Sequence, residues 1–408
     1  MSNLPKGWEL VQFDKVCDIR DGTHDSPKYI ENGIPFITSK HLTDNGIDFT
    51  ETNYISEENH IEFSKRSKVD NGDILFGMIG TIGKPVIVNT DFEFSIKNVA
   101  LLKLSSNELL SNIYVLNLLK SNIIINQFSK LSNGGVQSFI ALGMIRKLKI
   151  PLPPIEEQKK IADILSTVDK KIAFVEENIN ATEELKKGLM QKLLTEGIGH
   201  TEFKDSELGR IPESWEVVKL EEVCTKIVGG GTPSKNEPDY WNNGTIPWVT
   251  PSEFTKSKSN YISVTENKIS EEGLKNSSAT LLAIGTVIMS SRATIGECKI
   301  NTIEITTNQG FISFQCNDLL NNLYLLYLIK QNKPNILKVS SGSTFLEVSR
   351  TSMKNFSIAI PSLEEQKQIA EILSTVDKKL ENLKEKKLFF QELKKGLMQK
   401  LLTGEVRV

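Results

Sequence analysis

No apolar run in this 408-residue chain approaches the roughly 20 residues needed to span a bilayer. The opening MSNLPKGWEL lacks the apolar centre of a signal peptide. Together these features point to an intracellular, cytoplasmic protein with no membrane contact. Charge of one sign is also missing: 49 Lys and Arg stand against 51 Asp and Glu, a formal net charge of −2. Any nucleic-acid surface must therefore be a local patch. Cysteine is scarce, with only Cys17, Cys224, Cys298 and Cys316, and no C-x-x-C pair. That scatter favours buried thiols over disulfides or a zinc site.

Catalytic signatures are absent as well. Gly83-Lys84 is followed by Pro85, and position 78 is Met, so there is no phosphate-binding loop. Gly77, Gly80 and Gly83 are spaced by threes, unlike a dinucleotide fingerprint. The four histidines, His24, His41, His60 and His200, make no H-E-x-x-H, and no G-x-S-x-G elbow occurs. Pro238-Asp239 ahead of Glu266-Asn267-Lys268 fits a loose metal-nuclease pattern, but the pattern is short and absent from the first half. The chain reads as non-catalytic, with no metal site and no cofactor of its own.

What the sequence does have is a long segment written twice. EEQKKIADILSTVDKKI at 156–172 returns as EEQKQIAEILSTVDKKL at 364–380, and ELKKGLMQKLLT at 184–195 returns at 392–403, an offset of 208 in both cases. A period of that size is a whole domain plus a connector rather than a solenoid repeat. In the first copy Ile161, Leu165, Val168, Ile172, Val175 and Ile179 alternate by four and three. Ile369, Leu373, Val376, Leu380 and Leu383 follow in the second copy. This is the heptad seam of a helix packed on another helix. Prolines ahead of each run, glutamates in the first turn and lysines in the last suit a long helix and its dipole. Past Ile179 the seam is expected to slip onto Leu185, Leu189 and Leu193, and onto Leu393, Leu397 and Leu401.

The segments ahead of the two helices match only in outline. Leu4-Pro5-Lys6-Gly7-Trp8-Glu9 answers Ile211-Pro212-Glu213-Ser214-Trp215-Glu216, and Asp21-Gly22-Thr23 answers Gly230-Gly231-Thr232. Ile34–Thr38 answers Ile246–Thr250. Gly72–Leu75 with Thr81-Ile82-Gly83 answers Gly285–Ile288 with Thr294-Ile295-Gly296. Short β-branched runs between turn residues read as strands, and Leu109–Lys120 and Leu319–Lys330 as amphipathic helices. The fold class is therefore α+β: two tandem pseudo-symmetric domains, separated by long helices that form an antiparallel coiled coil. The expected segments are 1–150, 151–197, 198–358 and 359–408.

Ile150-Pro151-Leu152-Pro153-Pro154-Ile155-Glu156-Glu157-Gln158 with Leu185–Leu194, and the second copy from Ile360-Pro361 to Leu402-Thr403, resemble the conserved regions of specificity (S) subunits of type I restriction–modification enzymes. Pro212…Trp215, Gly231-Thr232-Pro233, Ile246-Pro247-Trp248 and Gly342-Ser343-Thr344 resemble that family's target-recognition domains. In the first half Asp21-Gly22-Thr23-His24 and Asn133-Gly134-Gly135-Val136 depart from the pattern. The resemblance covers essentially the whole chain. It implies that segments 1–150 and 198–358 each read one half of an asymmetric, bipartite target in double-stranded DNA. It also implies that the helices space the domains and dock two methyltransferase (M) subunits, with restriction (R) subunits completing the complex. S-adenosylmethionine, ATP and Mg would belong to those partners.

Candidate DNA contacts are polar or basic residues in loops that differ between the halves: His24, Lys28, Ser39, Lys40, His41, Arg66 and Lys68 in the first, and Lys235, Thr250, Ser252, Lys256, Lys258, Arg292 and Arg350 in the second. Arg292, beside a strand and flanked by Ser290, Ser291 and Thr294, is the strongest single candidate. Candidate subunit-interface residues are Leu185, Leu189, Met190, Leu193, Leu194, Leu393, Leu397, Met398 and Leu401. The competing reading is a scaffold that binds two protein ligands rather than DNA. Steep salt dependence of specific DNA binding separates the two.

Overall fold

A computed structural model describes residues 4–80, 83–131, 139–256, 258–341 and 346–408. Thr81-Ile82, Asn133-Gly134-Gly135-Val136 and Gly342-Ser343-Thr344 lie outside the described residues. The chain divides into two compact units, residues 1–177 with 384–408 and residues 178–383. Each unit therefore takes a globular domain, part of the helix that follows it and part of the other long helix. These units cut across the four segments drawn from the sequence, since residues of both long helices join each domain's core cluster.

In the first unit an antiparallel sheet runs in the order Asp18–Asp21, Val99–Lys103, Ile74–Gly77, Pro85–Ile87. A second sheet sets Ile34–Ile37 between Asn53–Ile55 and Ser95–Ile96, the last pair parallel. The second unit repeats this plan. Cys224–Gly229, Phe311–Cys316, Val287–Ser290 and Cys298–Asn301 form the first sheet, extended by Tyr261–Ile262. Ile246–Val249 lies between Asn267–Ile269 and Thr306–Thr307 in the other. Val287–Ser290 and Ile74–Gly77 are buried throughout, as central strands must be.

The helices expected over Leu109–Lys120 and Leu319–Lys330 are shorter at the start, Asn112–Leu119 and Asn322–Gln331. Ser111 caps one by accepting from the Tyr114 N–H, and Asn321 caps the other by accepting from the Tyr324 N–H. Neither is amphipathic. Tyr114, Val115, Asn117, Leu118 and Leu119 are buried, as is the whole run Tyr324–Ile329. They are core helices enclosed by sheet on one side and long helix on the other.

The long helices span Ile155–Leu193 and Leu363–Thr403. One side chain fixes each to its domain. Gln158 is fully buried; its Oε1 accepts from the Ser111 N–H at 3.0 Å, and its Nε2 donates to the Leu109 and Pro153 carbonyls, both at 2.9 Å. Gln366, 208 positions on, accepts from the Asn321 N–H at 2.8 Å and donates to the carbonyls of Leu319 at 2.9 Å and Pro361 at 3.0 Å. A buried amide that satisfies three backbone groups locks the helix start against the cap of the core helix.

Within each unit the two helix segments run antiparallel. In the first, Asp169 binds Lys394 at 2.6 Å, Glu176 binds Lys387 at 2.7 Å, and Glu157 binds Arg407 at 2.8 Å. In the second, Lys186 meets Asp377 at 2.5 Å, and the Ile198 N–H donates to Glu365 at 2.9 Å. Each step forward on one helix is matched by a step back on the other. The Lys186–Asp377 pair and the Lys394–Asp169 pair are the same interaction written twice, through the 208-residue repeat.

This pairing corrects the expected slip. Ile161, Leu165, Val168, Val175 and Ile179 are buried, and the four-and-three alternation continues without interruption through Thr182, which is buried, then Lys186 and Leu189 to Leu193. On the second helix it runs through Leu383, Lys387, Phe390, Lys394 and Leu397 to Leu401. Leu185 and Leu393 lie off the seam and are exposed. Polar side chains in the seam disguised its continuity, because in a bare sequence a lysine reads as outer face. Buried or half-buried polar seam residues fix register.

Asp377 also accepts from the Tyr327 hydroxyl and the Asn260 amide, both at 2.7 Å. Burial alone would raise its pKa, but the bonds from Lys186, Tyr327 and Asn260 together hold it below the usual carboxylate range. Replacing Lys186 with Leu should destabilise the second unit by about 3 kcal/mol, since it strands a largely buried carboxylate. Adding Asp377→Leu should recover most of that loss. The depressed pKa makes the stabilisation complete at neutral pH and lost as pH falls through the folded-state value, so the Lys186→Leu defect should shrink in acid. Urea unfolding at several pH values checks both statements. Gln366→Leu leaves three backbone groups unpaired and should cost at least about 3 kcal/mol in the same assay.

Candidate nucleic-acid interface

The rims of the two domains can be compared residue by residue through their hydrogen bonds. In the first unit Gly22 donates its N–H to the Val99 carbonyl, and Thr23 donates to Ile96. In the second, Gly230 donates to Phe311 and Gly231 to Thr307. Asp21 pairs with Ala100 as Gly229 pairs with Ile312. The equivalences are thus Asp21 with Gly229, Gly22 with Gly230, Thr23 with Gly231 and His24 with Thr232. That is one position off the match read from the sequence. A Cβ on Gly22 would stand 2.3 Å from the Ile96 carbonyl oxygen, and one on Gly230 would stand 1.9 Å from that of Asn308. Glycine is required where the loop lies on the neighbouring backbone.

Different chemistry occupies these equivalent places. In the first domain Asp21 is almost fully buried, and its carboxylate meets the Arg66 guanidinium on one oxygen and His24 Nε2 at 3.1 Å on the other. His24 Nδ1 lies 2.6 Å from the Asn98 side-chain oxygen, and Asn98 adopts a left-handed backbone, φ 52°. In the second domain the brace is neutral: the Thr232 hydroxyl donates to the Gln309 side-chain oxygen. The next feature of the rim differs too. Ile79 bridges Phe139 in the first domain, both exposed, whereas Arg292 bridges Glu347 in the second and forms an ion pair at 2.9 Å. The Ile140 N–H donates to Met78, as the Val348 N–H donates to Ser291, confirming that the two positions correspond.

The structure brings some candidates together and turns others inward. His24 and Arg66 converge on Asp21 and remain exposed at their outer edges. Ser39 is buried; its hydroxyl donates to the Asn98 carbonyl at 3.3 Å and accepts from the Met78 N–H at 3.3 Å. His41 is buried too. Its Nδ1 accepts from the Thr38 N–H, and its Nε2 lies 3.2 Å from the Glu51 carbonyl. Both hold the loop from beneath rather than face outward. Lys28, Lys40 and Lys68 are exposed, Lys68 within 3.8 Å of Asp70.

In the second domain Lys235, Lys258 and Arg350 are exposed, the last opening the short helix Arg350–Lys354. The Thr250 and Ser252 hydroxyls are 3.1 Å apart. Lys256 pairs with Glu266 at 2.9 Å, which raises its pKa. Arg292 is exposed, but its guanidinium is shared with Glu347. Asp21, Asn98, Ile79 and Phe139 were missed in the sequence. Only the alternating burial of neighbouring strands could have shown that Asp21 faces inward.

The interface list divides in the same way. Leu193, Leu194 and Leu401 are buried in domain cores, and Leu189, Met190, Leu397 and Met398 pack half-buried against them. Leu185 and Leu393 remain exposed, together with Phe174, Leu388 and Phe389 on the first unit's helix segments. Among the described residues no cluster of His, Cys, Asp and Glu could hold a metal ion, and no helix is long and apolar enough to cross a membrane. The four cysteines are free; burial pushes the Cys17 and Cys298 thiols up to about 12.

Comparison with known proteins gives this arrangement its relatives. The type I restriction–modification DNA specificity domain matches twice, over residues 5–184 and 212–388. Two proteins of Methanocaldococcus jannaschii align essentially end to end. MjaX is 31% identical over all of this chain and 96% of its own length, and the type I restriction enzyme MjaVIII specificity subunit is 29% identical over 99% and 94%. The solved S subunit of a type I restriction–modification system from M. genitalium shares the fold, with a TM-score of 0.58 at 15% identity over 98% of this chain and 97% of that one. The doubled domain match, and a relative aligned over the full length, place the chain in the family of type I restriction–modification DNA specificity subunits.

Proposed function

We propose that each globular domain reads one half of a bipartite, asymmetric DNA target through the rim described above. The observation that carries this reading is one scaffold presented twice with different chemistry at equivalent rim positions. A carboxylate-held His–Arg pair and an Ile–Phe pair serve the first domain; a Thr–Gln brace and an Arg–Glu pair serve the second. Apolar side chains suit thymine methyls, and guanidinium groups suit guanine edges or phosphates. The exposed lysines at 28, 40, 68, 235 and 258 are assigned to phosphates under this reading, which makes binding salt-dependent. Under this reading the chain acts in the cytoplasm without chemistry of its own. Two M subunits and the R subunits supply S-adenosylmethionine, ATP and Mg.

The long helices serve as spacer and docking surface. Leu185 and Leu393 are exposed at equivalent positions off the seam, and a repeated apolar residue on each helix suits two copies of one partner. The double variant Leu185→Glu, Leu393→Glu should therefore lose assembly with the methyltransferase while keeping its melting temperature. Leu193→Glu should unfold its unit instead. Size-exclusion chromatography after co-expression, with thermal melts of the free chain, reads both results. Assembly unaffected by the double variant would remove the docking proposal.

Exchanging residues 1–150 for the corresponding domain of a relative should change one half-site in the methylated motif and leave the other intact. A change in both would contradict independent reading. Spacing is tested by adding one heptad after Glu177 and another after Glu385, which preserves the seam. Each helix lengthens by about 10 Å, roughly three base-pair steps. The gap between half-sites should grow by about three base pairs with the bases at each end unchanged; an unchanged gap at full activity would show that the helices do not set it.

A further inference from the structure

Arg66 is one of several exposed cations on the first domain, but its setting is unlike theirs. The C-terminal turn of the helix Glu57–Ser67 carries it, and its backbone carbonyl accepts from Arg20 Nη1 at 3.1 Å. Its guanidinium Nη2 is held by Asp21, whose side chain is only 8% exposed against 63% for Arg66. The other Asp21 oxygen faces His24, and His24 in turn reaches Asn98. Asn98 is fixed by its own backbone, because its N–H donates to the Thr23 carbonyl and its carbonyl accepts from the buried Ser39 hydroxyl.

Both ring nitrogens of His24 are thus committed within the domain, which leaves this ring as a brace and Arg66 as the outward donor. Arg66 Nη2 meets the carboxylate, and a guanidinium carries five N–H donors, so an exposed side chain held at one nitrogen keeps further donors for a ligand. A long side chain ordinarily gives up substantial rotamer freedom when it binds. Here that freedom is already restricted by a buried acceptor, the condition for discriminating among base edges rather than only neutralising a phosphate. In the second domain the residue equivalent to Asp21 is Gly229, and the brace there is neutral, so the device belongs to the first domain alone.

We infer that Arg66, held by Asp21 with His24 as its second brace, determines specificity in the half-site read by residues 1–150, where it donates to the O6 and N7 acceptors of a guanine. Asp21 and His24 are positioning residues that act through Arg66. This rests on the reading that each domain reads one half-site, and it names the group responsible in one of them.

The test uses the full chain in complex with its methyltransferase and the methylated motif in cellular DNA. Asp21→Asn keeps the shape of the side chain and removes the charge that holds Arg66. One guanine position in the first half-site should become degenerate, with about a tenfold loss of discrimination; the second half-site should be unchanged. Arg66→Gln should relax the same position, and combining the two should add little further loss. Asp21→Asn that leaves the motif and its fidelity intact overturns the inference, as does relaxation of both half-sites or additive effects. Should Asp21→Asn lower the melting temperature, the exposed Arg66→Gln variant decides alone, and an unchanged motif with it is equally fatal. Failure of the parent reading is distinct: the domain exchange would then leave the parent motif unaltered.

Discussion

Two lysine–aspartate pairs in the helix seam organise everything else in this chain. Lys394 with Asp169 and Lys186 with Asp377 are copies of one interaction, each joining part of one long helix to part of the other within a compact unit. An apolar seam of leucines and isoleucines would pack comparably in several registers. A lysine in the seam has to find its carboxylate, and that requirement selects one register. From that register follows which leucines enter which core: Leu193 and Leu194 join the second domain's cluster, and Leu401 and Leu402 the first's. Gln158 and Gln366 then attach each domain to its helix at a fixed point.

The consequence is a division between what is held constant and what varies. The clamp glutamines, the seam pairs and the sheet order recur in both halves, so rim residues stand at equivalent places relative to their own scaffold. The rim can then change its chemistry without altering the frame. Asp21 and Gly229 illustrate the range: the same strand position carries a buried carboxylate that organises an arginine and a histidine in one domain and no side chain in the other. Ile79 with Phe139, against Arg292 with Glu347, is a second exchange of the same kind.

Much of this was legible in the sequence because the repeat is nearly identical over its helices, which dictates twin units and antiparallel partners. The errors have physical causes. The seam looked broken at Leu185 because Thr182, Lys186, Lys387 and Lys394 occupy core-facing positions that polar residues usually avoid; the facing helix supplies the partners of the three lysines, and the Thr182 hydroxyl donates to the Asn178 carbonyl of its own helix. The loop match was one residue out because the hydrogen-bond register, not the glycine count, sets equivalence. The stretch between Ile96 and Val99 is one residue shorter than that between Thr307 and Phe311. Ser39 and His41 resembled loop contacts by type, but tertiary burial assigned their polar atoms to the loop's own backbone. Arg292 does follow a strand, Val287–Ser290, and is exposed, but its partner Glu347 lies 55 positions away and is invisible to local pattern.

The central claim is that two rims on one repeated frame read two separate pieces of DNA. The most direct measurement is sequencing of methylated bases in a host otherwise free of adenine and cytosine methylation, expressing this chain with its methyltransferase subunits. The account requires a single asymmetric motif, made of two short defined blocks separated by a gap of fixed length and free composition. A continuous motif, a palindrome, or methylation that does not depend on this chain would contradict it.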